Sequence, residues 1–139
     1  MNEPEVMLEM LGGKDHAPRT LAVVGLSDDP AKASYAVSAY MQEHGYRILP
    51  VNPGIESALG ERSYPSLSEL PVRPDVVNVF RLPKAIPAIV DEMLALGLDN
   101  VWVQLGILNE TAAQAAEAGG IRVVMDRCIM VEHMRRMRS

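Results

Sequence analysis

The chain has 139 residues, 48% of them apolar and 22% charged, which is the composition of a folded globular protein of one-domain size. Its net charge of -5 disfavours nucleic acid as a partner, and no apolar run reaches the roughly 18 residues of a membrane span. A single cysteine excludes an internal disulfide, and Glu3, Glu5 and Glu9 stand where a secretory signal needs positive charge. We therefore expect a cytoplasmic protein without a membrane partner, formed by one domain over residues 1–139 with its core in 20–133.

Short runs rich in β-branched residues predict most of the regular structure. Before them, an amphipathic patch within residues 1–18 predicts a leading helix that contains Val6, Met7, Leu8, Met10 and Leu11. Five strands are then predicted at 20–25, 46–51, 75–81, 100–106 and 121–125. Their nearly continuous apolar character is typical of parallel strands that are covered on both faces.

Helical patterns fill most of the connections between these strands. The first predicted helix ends at Gly45, in the left-handed conformation. The second begins at Pro83 or Lys84 and ends at Gly97. The third begins after Asn109 as N-cap and ends at Gly119 and Gly120. Residues 129–137 predict a closing helix, whereas 52–74 holds four prolines and predicts a loop with one helical turn near S-L-S-E-L. The fold class is α/β: a Rossmann-like, doubly wound, five-stranded parallel sheet with helices on both faces, in the order 3-2-1-4-5.

Ligands of such sheets bind beyond the carboxyl ends of the strands, so the loop after the first strand is a candidate site. Gly25 permits a tight turn there, and the loop leads into a helix whose free N–H groups can receive phosphate. Ser27 and Ser34 add hydroxyl groups, and Lys32 adds a positive charge. An ordinary strand-to-helix turn with a solvated lysine is the alternative interpretation.

This loop departs from the dinucleotide fingerprint G-x-G-x-x-G. Ser27 and Pro30 replace its second and third glycines, which weakens the case for NAD. NAD sites also carry an acid at the end of the second strand, about 20 residues on, to hold the ribose. Here that strand ends with Val51, Asn52 and Pro53, a neutral lip that suits adenine and does not repel an extra ribose phosphate. Coenzyme A carries such a 3′-phosphate, and Lys32 is a candidate to bind it.

The third and fourth strands end in further candidates. Phe80 and Arg81 can support an adenine face or a phosphate, or they are a core residue and a surface charge. Gln104 is a polar end to an apolar strand, and Gly106 leaves room for a ligand to pass close to the backbone. A plain backbone turn without a ligand is the alternative interpretation of the second pair.

Taken together, six segments resemble a known family: AVVGLSDDPAKAS, YMQEHGYRILPVNP, LGERSYPSLSELP, DVVNVFR, VWVQLGI and VMDRCIMVEH. In this order, over roughly residues 20–133, they are similar to the small stand-alone CoA-binding domains related to the N-terminal domain of the succinyl-CoA synthetase alpha subunit. The resemblance implies a Rossmann-like fold with coenzyme A, or an acyl-CoA, across the strand ends. The contacts that it implies are Gly25, Leu26, Ser27, Pro30 and Lys32, then Val51, Asn52 and Pro53, then Phe80 and Arg81, and finally Gln104, Gly106 and Ile107.

No catalytic or metal-binding set is predicted. The three histidines, His16, His44 and His133, do not lie next to a strand end, and a surface or packing role is expected for each. Cys128 follows the fifth strand and can in principle react with a thiol ligand, but an inert buried thiol is the preferred interpretation. We expect a binding module and not an enzyme. The alternatives are a small NAD(P)-dependent or CoA-linked enzyme and an interaction domain that binds no ligand, and nine methionines are compatible with a homodimer.

Overall fold

A computed structural model describes residues 1–137, and a parallel sheet forms its centre. In chain order the elements are α1 (Pro4–Met10), β1 (Thr20–Val24), α2 (Ala33–Glu43), β2 (Arg47–Val51), β3 (Ser57–Ala58), β4 (Glu61–Arg62), β5 (Val76–Val79), α3 (Ile86–Leu96), β6 (Asn100–Val103), α4 (Glu110–Ala118), β7 (Arg122–Val124) and α5 (Ile129–Met137). Two 3-10 helices lie at Leu67–Glu69 and Pro83–Ala85. The five predicted strands and the leading and closing helices are confirmed.

The predicted strand order is wrong. The sheet runs β2-β1-β5-β6-β7, which is 2-1-3-4-5 when only its own strands are counted. β5 pairs with β1 on the side away from β2, so β5, and not β1, is the central strand. The physical reason lies in Pro50, which has no N–H to donate and is therefore tolerated in an edge strand. The predicted order would have placed Pro50 inside the sheet.

Helices cover both faces of the sheet, as predicted. α3 and α4 pack on one face, where valines such as Val77 and Val101 form a core with Met93. α1, α2 and α5 pack on the other face, where the core contains Trp102 and Met41. Alternate residues of the same strand point to opposite faces, and this explains why the strands are apolar throughout.

Most of the predicted helix ends are confirmed by their backbone geometry. Gly45 and Gly97 have φ angles of 91° and 69°, in the left-handed region. The side chain of Asn109 accepts a 3.0 Å hydrogen bond from the N–H of Ala112, as an N-cap does. Among the helices of residues 1–137, none is both long and apolar enough to cross a bilayer.

The connection over 52–74 contains more structure than the sequence predicts. Its helical turn is present at Leu67–Glu69, but β3 and β4 form a small antiparallel hairpin where the sequence predicts a loop. Leu59 and Gly60 make the turn with φ angles of 55° and 76°. Two positive φ angles are the hallmark of a type I′ turn, which normally carries Asn-Gly or Asp-Gly. Because leucine stands at the first position in place of Asn or Asp, the sequence does not predict this turn.

Both outer strands of the sheet have a partner on their free side. Along β2, the Tyr64 N–H donates to the Pro50 carbonyl at 3.0 Å, and the Asn52 N–H donates to the Tyr64 carbonyl at 2.9 Å. Along β7, the Asn2 N–H donates to the Val123 carbonyl at 3.1 Å, and the Asn2 side chain bonds both backbone groups of Met125. The backbone at both sides of the sheet is therefore already engaged.

Candidate functional site

The switch point of the sheet lies between the carboxyl ends of β1 and β5. After β1 the chain crosses to α2 on one face, whereas after β5 it crosses to α3 on the other face. A crevice opens where two such loops diverge, and this is the usual ligand site of an open α/β sheet. The observed order therefore places the candidate site between the loop that begins at Gly25 and the loop that begins at Phe80.

Gly25 keeps these two loops close together. Its φ angle is 88°, and a Cβ at this position would lie 2.4 Å from the Phe80 carbonyl oxygen and 2.9 Å from Cδ of Arg81. Any side chain would therefore collide with the neighbouring backbone. Glycine at this position is explained by the packing of the protein itself, in addition to any role beside a ligand.

The loop from Gly25 to α2 is held by its own hydroxyl groups. The Ser27 N–H donates to Oγ of Ser34 at 3.0 Å, and the Asp29 N–H donates to Oγ of Ser27 at 3.0 Å. Each hydroxyl accepts in these bonds and keeps its own proton for another acceptor. Leu26 is buried and anchors the loop, whereas Pro30 is exposed.

The amino end of α2 is open to an anion. Across residues 1–137, the N–H groups of Ala33 and Ser34 have no hydrogen-bond acceptor. Lys32 is the N-cap residue, and its exposed side chain makes no hydrogen bond or ion pair with the described chain. Free N–H groups, the helix dipole and a lysine together favour a bound phosphate.

Asn52 joins the loops that follow β1 and β2. Its Nδ2 donates to the Leu26 carbonyl at 3.0 Å, and its Oδ1 accepts from the Gly54 N–H at 2.8 Å. The side chain is thus used for structure on both sides of its amide. Val51 is buried and Pro53 is exposed, so only the proline of this strand end faces solvent freely.

A cleft of about 260 Å³ lies beside this strand end. Val51 and Pro53 line it from one side and Arg81 from another. Most of its remaining wall is apolar and is formed by Val24, Pro65, Leu67, Ala85, Ala88 and Ile89. Arg81 is exposed and has no hydrogen-bond or ion-pair partner within residues 1–137, whereas Phe80 is partly buried against the core under α2. The cleft therefore combines mostly apolar walls with one unpaired cation, Arg81, and one carboxylate, Glu92.

The predicted residues after β6 do not line this cleft. Gln104 is buried, and its Oε1 accepts from Nδ2 of Asn78 at 3.2 Å and from the Ile129 N–H at 3.0 Å. The Gly106 N–H donates to Oδ1 of Asp126 at 2.7 Å, and Ile107 packs against the core under α3. These residues shape the edge of the sheet next to the candidate site.

The sequence did not single out three leucines at the same edge, and it suggested for Asp126 only a pairing with Arg127 or a cap on the last helix. Leu82, Leu105 and Leu108 are exposed on the loops that follow β5 and β6. Asp126, which has a φ angle of 61°, holds the second of these loops through Gly106. Their only sequence signal is their place just after a strand, because a leucine there is indistinguishable from a core residue.

The histidines lie away from this edge. Nδ1 of His133 is 2.8 Å from the Tyr40 hydroxyl, and Nδ1 of His44 is 2.8 Å from the Tyr40 carbonyl oxygen. Burial lowers the pKa of His133, and His44 and His16 lower it further, whereas burial raises the pKa of Tyr46 to about 12. This cluster packs α2 against α5 close to the start of β2.

Cys128 is partly buried at the start of α5 and packs against the core. Its carbonyl oxygen accepts a 3.0 Å hydrogen bond from the Glu132 N–H in the first turn of the helix. The side chain is therefore part of the packing between β7 and α5.

Comparison with known proteins identifies relatives along nearly the whole chain. A family model described as a CoA binding domain matches residues 19–134. The uncharacterized protein YneT of Bacillus subtilis is 44% identical over 115 residues, which are 83% of this chain and 85% of YneT. The solved structure of cell-free ID.343 from Thermus thermophilus is 39% identical with a TM-score of 0.86, over 97% of this chain and 98% of that one.

A more distant relative is much longer. The alpha subunit of ADP-forming acetate–CoA ligase II from Pyrococcus furiosus is 27% identical over 123 residues. The match covers 81% of this chain but only 27% of the ligase subunit. This chain is therefore similar to one part of that subunit.

Proposed function

The chain belongs to the CoA binding domain family, and on that premise we propose that it binds coenzyme A, or an acyl ester of it, at the carboxyl edge of its sheet and serves as a binding module. One observation carries this proposal: the open amino end of α2, with the unpaired Lys32, lies on the loop next to an apolar cleft that holds the unpaired Arg81. A nucleotide with several phosphates needs both kinds of surface.

In this proposal the phosphates of the ligand meet the amino end of α2. The N–H groups of Ala33 and Ser34 and the hydroxyl protons of Ser27 and Ser34 are the donors, and Pro30 flanks them. Lys32 neutralises charge at the same place, and the 3′-phosphate is its preferred target because it carries the most charge per group. The free N–H groups and the dipole of the helix favour phosphate at this end, and Lys32 adds to that attraction.

The adenine ring occupies the cleft beside β2. Pro53 and the buried Val51 give it an apolar surface, and the guanidinium of Arg81 stacks on the ring or meets a phosphate. The other predicted contacts act through the shape of the site. They are Gly25 and Leu26, which fix the first loop, Asn52 and Phe80, which fix its neighbours, and Gln104, Gly106 and Ile107, which form the adjoining edge.

A binding role is favoured over catalysis by the groups around the cleft. Its carboxylate, Glu92, lies 3.4 Å from the N–H groups of Leu67 and Ser68 and caps a 3-10 helix. In the described part of the chain, no second titratable group besides Arg81 lines the cleft to form an acid and base pair with it. The end of β2 also lacks the carboxylate with which NAD sites hold ribose.

Calorimetric titration of protein stripped of carried-over ligand tests the proposal. CoA, acetyl-CoA, NAD and ATP are titrated side by side, and CoA or its ester is expected to bind with a Kd of about 1 μM or tighter, near -8 kcal/mol. NAD is expected to bind much more weakly. Tighter binding of NAD would replace the proposal with a nucleotide-dependent enzyme, and no binding of any ligand would favour a protein-interaction domain.

A further inference from the structure

The two most exposed large apolar side chains of residues 1–137 both lie at the carboxyl edge. Leu82 is 66% exposed and Leu105 is 65% exposed, and Leu108 at the same edge is 45% exposed. Leu82 follows β5 directly, and Leu105 and Leu108 follow β6. Contiguous apolar surface marks binding sites, whereas single exposed apolar residues are ordinary, so the loops that carry the three leucines decide what they form.

These leucines are presented by fixed loops. The Ile107 N–H donates to the Gln104 carbonyl at 3.2 Å, and the φ angle of Gly106 is 85°, so Leu105 lies at the corner of a tight turn. Asp126 holds the same turn through the 2.7 Å bond from the Gly106 N–H. The exposure of Leu105 is thus built into the turn.

The other two leucines lie on loops that are bonded to each other. Nδ2 of Asn109 donates to the Pro83 carbonyl at 3.0 Å, and each of these residues directly follows one of the leucines, Leu108 and Leu82. The Ala85 N–H also donates to the Leu82 carbonyl at 2.9 Å. Leu82 and Leu108 therefore lie next to a hydrogen bond that joins the loops after β5 and β6.

The place of these loops fits the far end of the proposed ligand. The phosphate end lies at β1, and β5 and β6 are the next two strands, so the leucine loops begin about 10 Å away at the usual strand spacing. An extended pantetheine arm is longer than this distance. The arm can therefore carry its sulfur from the amino end of α2 to the leucines along the carboxyl edge.

The size of this patch favours a small occupant. A stable protein partner buries roughly 800 Å² per side and uses roughly 20–30 residues. Three partly exposed leucines fall far short of that surface, whereas they match the chain of a short fatty acid. We propose that Leu82, Leu105 and Leu108 hold an apolar acyl group joined to the CoA sulfur, so that the domain prefers acyl-CoA with several carbons to free CoA. This inference rests on the proposed function.

Titration with ligands that differ only in the acyl group tests it. Wild-type protein is expected to bind hexanoyl-CoA about tenfold more tightly than CoA, because each buried methylene adds to affinity, with acetyl-CoA in between. In the double variant Leu82→Ser with Leu105→Ser this difference disappears, while the affinity for CoA itself stays within about twofold. Val72→Ser with Leu96→Ser is the matched control, since it removes two exposed apolar side chains elsewhere and should keep the preference.

The outcomes separate this inference from the proposed function. If CoA and hexanoyl-CoA bind the wild type equally well, the acyl site is rejected and the CoA site stands; if neither binds, both fail. A preference that survives in the Leu82→Ser and Leu105→Ser variant rejects the location. Analytical ultracentrifugation adds one more test, because a wild-type dimer that the double variant turns into a monomer would make the leucines an interface between copies and overturn the inference.

Discussion

The two ends of the sheet carry cations in opposite situations. At the amino ends of the strands, Arg19 contacts a Glu9 carboxylate oxygen at 2.9 Å, and Nε of Arg122 donates to Oδ1 of Asn100 at 2.8 Å. These groups line a cleft of about 350 Å³, which is larger than the 260 Å³ cleft at the carboxyl ends. At the carboxyl ends, by contrast, Lys32 and Arg81 have no partner in residues 1–137.

On the proposed function the smaller cleft is the ligand site, so the choice between the two clefts depends on their charges and not on their volumes. The amino-end cleft contains three arginines and three carboxylates, so its charges balance and its side chains bond one another and the backbone. A ligand there would have to replace bonds that already exist. At the carboxyl ends an anion would meet donors that are bonded only to water, so it breaks no bond within the protein when it binds.

The largest expected effect on the carboxyl end of the sheet comes from adding a side chain at Gly25. Gly25→Ala is expected to lower the free energy of unfolding by about 2–5 kcal/mol, because it adds a collision with the Phe80 carbonyl to the strain of a positive φ angle. Gly106→Ala is the matched control: it has a φ angle of 85° and no atom within 4 Å of the new Cβ. Urea denaturation of both variants checks this, and equal losses would contradict the collision.

Substitution of the unpaired Lys32 tests whether its charge contributes to ligand binding at the carboxyl ends of the strands. Lys32→Ala is expected to weaken CoA binding by roughly tenfold or more, since a hydrogen bond to a charged group contributes about 1.5–3 kcal/mol. Dephospho-CoA should lose much less if Lys32 binds the 3′-phosphate. Calorimetry on both ligands measures this, with Lys14→Ala as an exposed lysine away from the site. Equal losses for the two ligands would reject the assignment to the 3′-phosphate.

A substitution at the amino ends of the strands is expected to lower the stability of the fold and to leave ligand affinity unchanged. Arg19→Ala removes the contact with the Glu9 carboxylate and the bonds to the Glu9 carbonyl, and is expected to cost about 1 kcal/mol of folding free energy. CoA affinity should be unchanged. A clear loss of affinity in calorimetry would show that the amino-end cleft contributes to the ligand site.

The smallest expected effect concerns pH. Because the pKa of His133 is lowered in the folded protein, the unfolded chain binds this proton more readily. Stability should therefore fall as the pH drops from neutral below about 6.5, the ordinary histidine value. The Tyr40 hydroxyl and the rings of His44 and Tyr46 face His133, and the charge of His16 also lowers its pKa. Urea denaturation at several pH values should give a flatter dependence for His133→Gln, and an unchanged slope would assign the effect to other groups.

The sequence predicts the fold well where one periodic pattern dominates. Strands and helix caps such as Gly97 and Asn109 follow from local chemistry, and the structure confirms them. Strand order depends on which side of β1 the third strand joins. Pro50 indicates that β2 is an edge strand, because proline has no N–H to donate to a further strand. The hairpin around Leu59 carried no ordinary turn signal.

The sequence predicts a candidate site at the strand ends, and the structure shows which of its residues are already bonded within the protein. Strand ends identify Lys32 and Arg81, which the structure leaves unpaired. The same rule also selects Asn52 and Gln104, whose amide oxygens turn out to serve the protein's own backbone and side chains. Residue type and spacing do not reveal whether a polar group is already bonded, because that depends on contacts between distant segments.

The hydrogen bonds along both outer strands protect the sheet from the addition of strands from other molecules. Exposed strand edges are templates on which another chain can add a strand, and this is a common route to aggregation. Here Tyr64 occupies backbone groups along β2, and Asn2 occupies backbone groups along β7. Removing the bonds of Asn2 would expose backbone of a short, largely apolar strand and is expected to promote strand addition between molecules.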